Sequence, residues 1–249
     1  MERGVNFTIT SGNNPQFKNE KKQTYFALKR AFDIVVSLSV LTLTAPLLVI
    51  VYILIRMDSP GNPIFVQERV GTRLRKVNGK RIWTQQNFPM YKFRTMKTNS
   101  SSDLHQHFIK AYIEGDEEMM QSINKKKADA KGMFKLNSDP RITKLGRFLR
   151  KTSLDELPQF WNVLKGEMTI VGPRPPLPYE VALYRPYHFK RLNTKQGITG
   201  YWQVNGRNST TFEEMVKLDD EYIKKQSFFL DLKILFMTFA EMFIKQETK

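Results

Sequence analysis

Cysteine is absent from the 249-residue chain, which excludes disulfides, thiolate metal sites and thiol catalysis. Acidic residues are scarce: 24 Asp and Glu stand against 40 Lys and Arg, a formal charge of +16. Such an excess implies a polyanionic partner, of which nucleic acid, anionic lipid and phosphorylated substrate are the main classes. No nucleic-acid-binding signature accompanies the charge, although Trp83, Tyr91, Phe93, Tyr201 and Trp202 lie among basic residues, so no nucleic acid is expected as partner. Periodicity is missing from residues 1–20, which read as a disordered tail.

One long apolar run is present. From Ile34 to Ile55 there are 22 residues without a charge, enough helix to cross about 30 Å of hydrocarbon. No small-residue cleavage site follows, so a signal peptide is excluded. Pro46 near the middle removes a hydrogen bond to the Thr42 carbonyl, with Thr42 and Thr44 available to satisfy freed backbone. Basic residues flank both ends, Lys21, Lys22, Lys29 and Arg30 before and Arg56, Arg69 and Arg73 after. A simple span concentrates such residues on one side. A Pro-kinked helix hairpin over 21–58 that enters and leaves one leaflet fits both facts, and a bitopic helix with a Pro kink stays open as the alternative.

Residues 59–249 read as a cytosolic domain. Strands are expected on both sides of Asn78-Gly79, a hairpin signal. Between Pro63 and Lys97 lie nine basic residues and one acid, Glu68. Most of these we assign to gripping anionic lipid head groups. Residues 98–132 read as an exposed helical insertion with a solvated charged face, and His105 and His107, two apart, point to different faces and receive no function. The segment Phe228–Lys245 fits either an interfacial helix on the membrane or one packed on the core. The expected class is α+β, mainly α: a membrane-embedded re-entrant helix plus a catalytic domain with a short β-hairpin.

The chemistry concentrates between Lys135 and Pro176. After the turn at Asp139-Pro140, Ile142, Leu145, Phe148 and Leu149 recur at helical spacing, leaving Arg141, Lys144, Arg147 and Arg150 largely on other faces. This basic helix delivers the chain to Ser153-Leu154-Asp155-Glu156. Ser-x-x-Glu is also a capping box, and Pro158 disturbs that register, so capping and catalysis both stay open for the carboxylate pair. Downstream, prolines lock the backbone around Arg174, which suits bidentate phosphate recognition or an ordinary Pro-rich loop.

Six motifs in order carry a resemblance: KFRTM (Lys92 to Met96), DPRIT (Asp139 to Thr143), LRKTSLDELPQ (Leu149 to Gln159), NVLKGEM (Asn162 to Met168), VGPRP (Val171 to Pro175) and GITGYWQVNGRN (Gly197 to Asn208). The chain resembles the bacterial sugar transferases, the monotopic phosphoglycosyl transferases, over roughly Lys29 to Phe243. The resemblance implies that Asp155 is the nucleophile and Glu156 its partner, and that both help hold Mg2+. It implies a ping-pong transfer of sugar-1-phosphate from a uridine diphosphate (UDP) sugar to polyprenyl (undecaprenyl) phosphate, with release of uridine monophosphate (UMP), at the start of surface glycan synthesis. Arg150 and Arg174 match phosphate-binding positions; Arg94 and Arg207 are further candidates for phosphate or nucleotide. The resemblance implies a helix broken at a Pro often preceded by Ser, where this chain has Ala45. Larger relatives carry extra N-terminal helices and a regulatory domain, so the chain reads as a minimal catalytic unit. It places the protein in the cytoplasmic (inner) membrane with the catalytic domain on the cytoplasmic face, against anionic phospholipid, and leaves room for a homo-oligomer. The alternative is a non-catalytic membrane scaffold of a polysaccharide assembly complex.

Overall fold

A computed structural model describes residues 20–77, 80–97, 103–124, 141–206 and 210–247. Helix α1, Glu20–Asp58, is 39 residues long and contains the whole apolar run. The helix continues past Pro46, which lies inside it. The hydroxyl that turns back is Thr44, and it donates to the Val40 carbonyl at 2.7 Å rather than to the Thr42 carbonyl that Pro46 releases. Among the described residues α1 is the one helix long and apolar enough to cross a membrane, and 11% of its most apolar window is buried. Leu43 is 81% exposed, and Val35, Leu38, Val49 and Ile50 are also exposed.

Both ends of α1 are fastened to the same body. Near its start, Lys29 lies 2.5 Å from Asp231, and the Asp33 carboxylate accepts from the Ile170 N–H and the Thr169 hydroxyl. Arg30 donates to the carbonyls of Val163 and Leu164 at 2.6 and 2.7 Å. Near its end, Val51 and Ile55 bury against Phe93 and Leu149, with Leu48, Ile64, Leu145 and Leu154 around them. Charged groups buried at one end and aliphatic ones at the other hold the helix, because buried donors and acceptors are costly when left unpaired.

Strands β1 (Ile64–Val77) and β2 (Lys80–Phe93) pair antiparallel over their full 14 residues, from Ile64 opposite Phe93 to Val77 opposite Lys80. This is the β-hairpin expected from the sequence; Asn78-Gly79 lies outside the described residues. Helix α5 (Gln159–Lys165) docks on β2 through Asn162, whose side chain accepts from the Tyr91 N–H at 3.1 Å and donates to the Pro89 carbonyl at 2.7 Å. A second sheet, not anticipated from the sequence, pairs β3 (Thr169–Val171) parallel with β4 (Gly197–Thr199). Phe88, Met90, Val163, Met168, Ile170 and Tyr222 form the core between these layers.

The insertion corrects one expectation. Helices α2 (Asp103–Glu114) and α3 (Glu117–Asn124) expose Glu114, Asp116, Glu117 and Glu118 as foreseen. The opposite face of α2 is not exposed: Phe108, Ile109, Tyr112 and Ile113 build a second core with Tyr184, Trp202 and the α8 (Phe212–Lys225) residues Phe212, Met215 and Val216. Residues 98–102 and 125–132 lie outside the described residues. Short helices α6 (Pro178–Ala182) and α7 (Tyr201–Asn205) complete this side. Helix α9 (Phe228–Glu247) does both things held open for it. Asp231 and Ile234 are buried in the core, while Phe229, Phe236 and Phe239 stand exposed, Phe229 at 83%.

Candidate active site

The dyad segment is built by the helix that precedes it. Helix α4 spans Lys144–Thr152, and the Thr143 side chain caps it by accepting from the Gly146 N–H at 2.9 Å. Gly146 is required for its lack of bulk: a Cβ there would sit 2.1 Å from the Thr95 carbonyl oxygen. Close approach lets the Thr143 N–H donate to that carbonyl and lets Met96 bridge Ile142. The Arg150 Nε donates to the Thr95 hydroxyl at 2.8 Å, which orients its guanidinium. Two motifs far apart in sequence, KFRTM and the basic helix, are thereby joined.

At Ser153 the chain turns sharply, with φ 58° and ψ 16°, the one non-glycine residue with positive φ among those described. A left-handed β-carbon-bearing residue costs about 1–2 kcal/mol, and such strain gathers at functional sites. The turn ends α4 and sends Leu154–Glu156 into a single 3-10 turn. Ser153 makes no side-chain cap bond, so the capping box does not form. Pro158 starts α5 from its N-cap position, where its missing N–H costs nothing. Asp155 is 9% exposed, and the Glu156 Oε1 lies 3.0 Å from the Lys92 ammonium. Leu154 packs beside Val51 and Ile55, so the end of the apolar helix adjoins the dyad's own segment.

The VGPRP loop reaches the same region. Gly172 sits so close to the Lys195 carbonyl that a Cβ would come within 2.4 Å of it, and its N–H donates to the Thr199 carbonyl at 2.8 Å. Arg69 donates to the Pro175 carbonyl at 3.0 Å, and Arg191 donates to the Arg174 carbonyl at 3.3 Å. Arg191 is itself fixed by a buried pair with Asp219 at 2.9 Å. Burial, and next the nearby Arg174 charge, push the Arg69 guanidinium down to about 10, while Glu180, Tyr179 and Glu156 oppose the shift. Arg69, Arg174 and Glu156 therefore share one electrostatic neighbourhood.

His105 enters this neighbourhood unannounced. Its Nδ1 lies 2.6 Å from the Tyr179 hydroxyl. Burial holds the imidazole below its ordinary range, with Arg174, Arg69 and Arg141 adding to the effect and Glu180 opposing it. Neither Arg69, read as a lipid-gripping residue, nor His105 carried a local signal; each acquires its place through contacts with a loop more than seventy residues away.

The candidate arginines separate. Arg150 lies on α4, which leads into the dyad segment, and Arg174 acts on Arg69 in the electrostatic neighbourhood that Glu156 also reaches. Arg94 is corrected: its guanidinium is buried and donates to the carbonyls of Pro60 and Ser59 at 2.6 Å and of Ile55 at 3.3 Å, closing the end of α1. Its terminal nitrogens are turned to carbonyls and its Nε is buried without an acceptor, which leaves a phosphate role unsupported. Arg207 lies outside the described residues. Among the described residues no group of three or more His, Asp or Glu would hold a metal by itself. Two adjacent carboxylates fit an ion such as Mg2+, which takes one or two protein oxygens and completes its shell from water and substrate phosphate.

The model of the family described as bacterial sugar transferase matches residues 24–245. The chain belongs to that family. Among curated relatives, a UDP-galactose-lipid carrier transferase of Erwinia amylovora is 42% identical over 88% of this chain, and the UDP-glucose:undecaprenyl-phosphate glucose-1-phosphate transferase of Escherichia coli K12 is 37% identical over the same share. This bacterial sugar transferase covers 41% of the length of each. The exopolysaccharide production protein ExoY of Rhizobium meliloti is 35% identical over 84% of the chain and 83% of its own length.

Proposed function

We propose that the protein transfers a sugar-1-phosphate from a UDP-sugar to a polyprenyl phosphate such as undecaprenyl phosphate, at the cytoplasmic face of the inner membrane. The observation that carries this reading is a buried Asp155 next to Glu156 after a strained Ser153, with Lys92 paired to Glu156 and with Arg174 and Glu156 both acting on Arg69. A carboxylate with neighbouring cations suits attack on a phosphorus that bears several negative charges. The names of the relatives, a lipid carrier transferase and an undecaprenyl-phosphate transferase, support the same substrates.

In the first half-reaction an Asp155 oxygen attacks the phosphorus that carries the sugar. The bond from that phosphorus to the bridging oxygen breaks, and the electron pair leaves on UMP. In the second, an oxygen of polyprenyl phosphate attacks the same phosphorus and the Asp155 carboxylate departs. Mg2+ held by Asp155 and Glu156 would neutralise diphosphate charge. Lys92 holds Glu156 in place, Arg150 and Arg174 bind phosphate oxygens, and Glu156 manages protons.

The acceptor is a lipid, so the dyad must stand at the bilayer. Supporting that position, the end of α1 packs on Leu149 and Leu154, and Phe148 and Trp161 expose apolar surface on either side of the dyad in sequence. A re-entrant α1 is favoured over a bitopic one because Lys29 and Asp33 at one end and Val51 and Ile55 at the other are fastened to a single domain, while the middle is exposed. The test is UMP release by detergent-purified protein supplied with Mg2+, a panel of UDP-sugars and undecaprenyl phosphate. Release by the wild type and its loss in Asp155→Asn support the mechanism. Equal activity in both removes Asp155 from it, and silence across the panel favours the scaffold.

A further inference from the structure

A cavity of about 470 Å³ opens between the first half of α1, the middle of the hairpin, the turn after α5 and the segment entering β4. Phe88, on its wall, is four strand positions from Lys92, the residue that holds Glu156. At about 3.3 Å per residue that is ~13 Å along β2, so the cavity is separate from the dyad.

Its charge is unbalanced. Lys29, Arg30, Arg73, Lys165 and Lys195 line it, against Asp33 and Glu167. Both acids are already engaged: Asp33 by the Ile170 N–H and the Thr169 hydroxyl, Glu167 by Lys165 at 2.7 Å and the Asn162 amide at 2.7 Å. Lys29 is spent on Asp231 and Arg30 on two carbonyls. Two donors on the wall stand apart. The Arg73 guanidinium and the Lys195 ammonium make no hydrogen bond among the described residues. Burial, with Arg30, Arg73 and Lys29, pushes Lys195 down to about 8, against the pull of Asp33. Convergent cations and acceptor-less donors are the complement of an anion.

We propose that this cavity is a second phosphate-binding site, holding the phosphate of a ligand between Lys195 and Arg73. Phe26, stacked edge-on to Trp83 at 5.6 Å between centroids, supplies an apolar wall for the rest of the ligand. The α1 residues on the wall, Phe26 to Asp33, end where the apolar run begins at Ile34. A phospholipid head group and a soluble nucleotide phosphate both meet this chemistry.

Site-resolved acetylation of Lys195, read by mass spectrometry on the full chain in detergent, tests the proposal. Three probes are compared: inorganic phosphate, UMP and dihexanoyl phosphatidylglycerol. The expected result is at least tenfold slower labelling of Lys195 with a saturating probe, and loss of that protection in Arg73→Gln, an exposed position whose change spares the fold. Protection by the lipid alone assigns a head group, by UMP alone a nucleotide, and by all three a general phosphate site. No protection by any probe, or protection that survives Arg73→Gln, overturns the proposal. Calorimetric titration of the protecting probe gives a second measure: at least tenfold weaker binding in Lys195→Gln supports the site, and unchanged binding removes it. Asp155→Asn retains binding here, so failure of the transfer mechanism and failure of this site read out separately.

Discussion

Two cationic regions of this molecule use charge in opposite ways. Around the dyad, positive side chains meet carboxylates of the chain itself: Lys92 holds Glu156, and the charge of Glu156 reaches Arg69. Around the distal cavity Lys29 and Lys165 pair with Asp231 and Glu167, and Arg73 and Lys195 are left without an ion pair among the described residues. Paired charge fixes the position of a reacting group, whereas surplus charge stores affinity for something outside the chain.

The comparison can be broken first at the dyad. Asp155→Asn is expected to lower UMP release on the order of 10⁴-fold, and Asp155→Asn with Glu156→Gln to lower it little further, since groups acting as a unit are not additive. A double variant far worse than the single one would separate the two carboxylates. Next comes the support beneath VGPRP. Arg191→Met strands a buried Asp219 and is expected to cost about 3–5 kcal/mol, read from the denaturant midpoint. An unchanged midpoint would show that the pair carries no part of the fold.

A smaller effect distinguishes two arginines. Arg174→Lys is expected to reduce kcat/KM by about 10–100-fold with unchanged thermal midpoint, because an ammonium cannot reproduce a bidentate fork. Arg94→Lys should do the reverse, lowering stability by about 1–3 kcal/mol through lost carbonyl bonds with little change in donor KM. Matching profiles for the two would erase the distinction between a site arginine and a structural one.

The smallest effect sharpens the cavity. Lys195 must be protonated to hold phosphate, and the groups facing it are Lys29, Arg30, Arg73 and Lys165 with Asp33 and Glu167. Raising pH from 7 to 9 passes through its value of about 8, so phosphate affinity there should fall roughly tenfold. The linked stability change has the opposite sign. A lysine depressed in the folded state destabilises it when charged, so stability without ligand should rise as pH climbs from about 8 toward the ordinary lysine value, and Lys195→Gln should flatten that rise. Denaturation at several pH values, with and without phosphate, checks both signs.

Much of the dyad was legible because its signals are local. A basic helix, a Ser-Leu-Asp-Glu turn and a Pro at the next helix start occupy consecutive positions, and their geometry follows from backbone rules that act over a few residues. The same holds for the apolar run and for the hairpin strands, whose register leaves two residues for the turn. The buried face of α2 was missed because half of its residues are charged or polar, while Phe108, Ile109, Tyr112 and Ile113 gain meaning only against Phe212 and Tyr184. Three-residue strands such as β3 and β4 are too short to show a period, and it is tight packing at Gly172 that pairs them.

From its order of residues alone, then, the chain declared its membrane-length helix, its family motifs and its carboxylate pair. It did not declare which cations serve which purpose. Arg94 and Arg174 look alike in sequence, yet one closes the end of α1 and the other acts on Arg69 in the neighbourhood of Glu156, while Lys195 faces a cavity. A side chain's task depends on which carbonyls, carboxylates and voids come within a few ångströms. For these residues those partners lie tens to more than a hundred positions away, so only chain closure and packing decide the assignment.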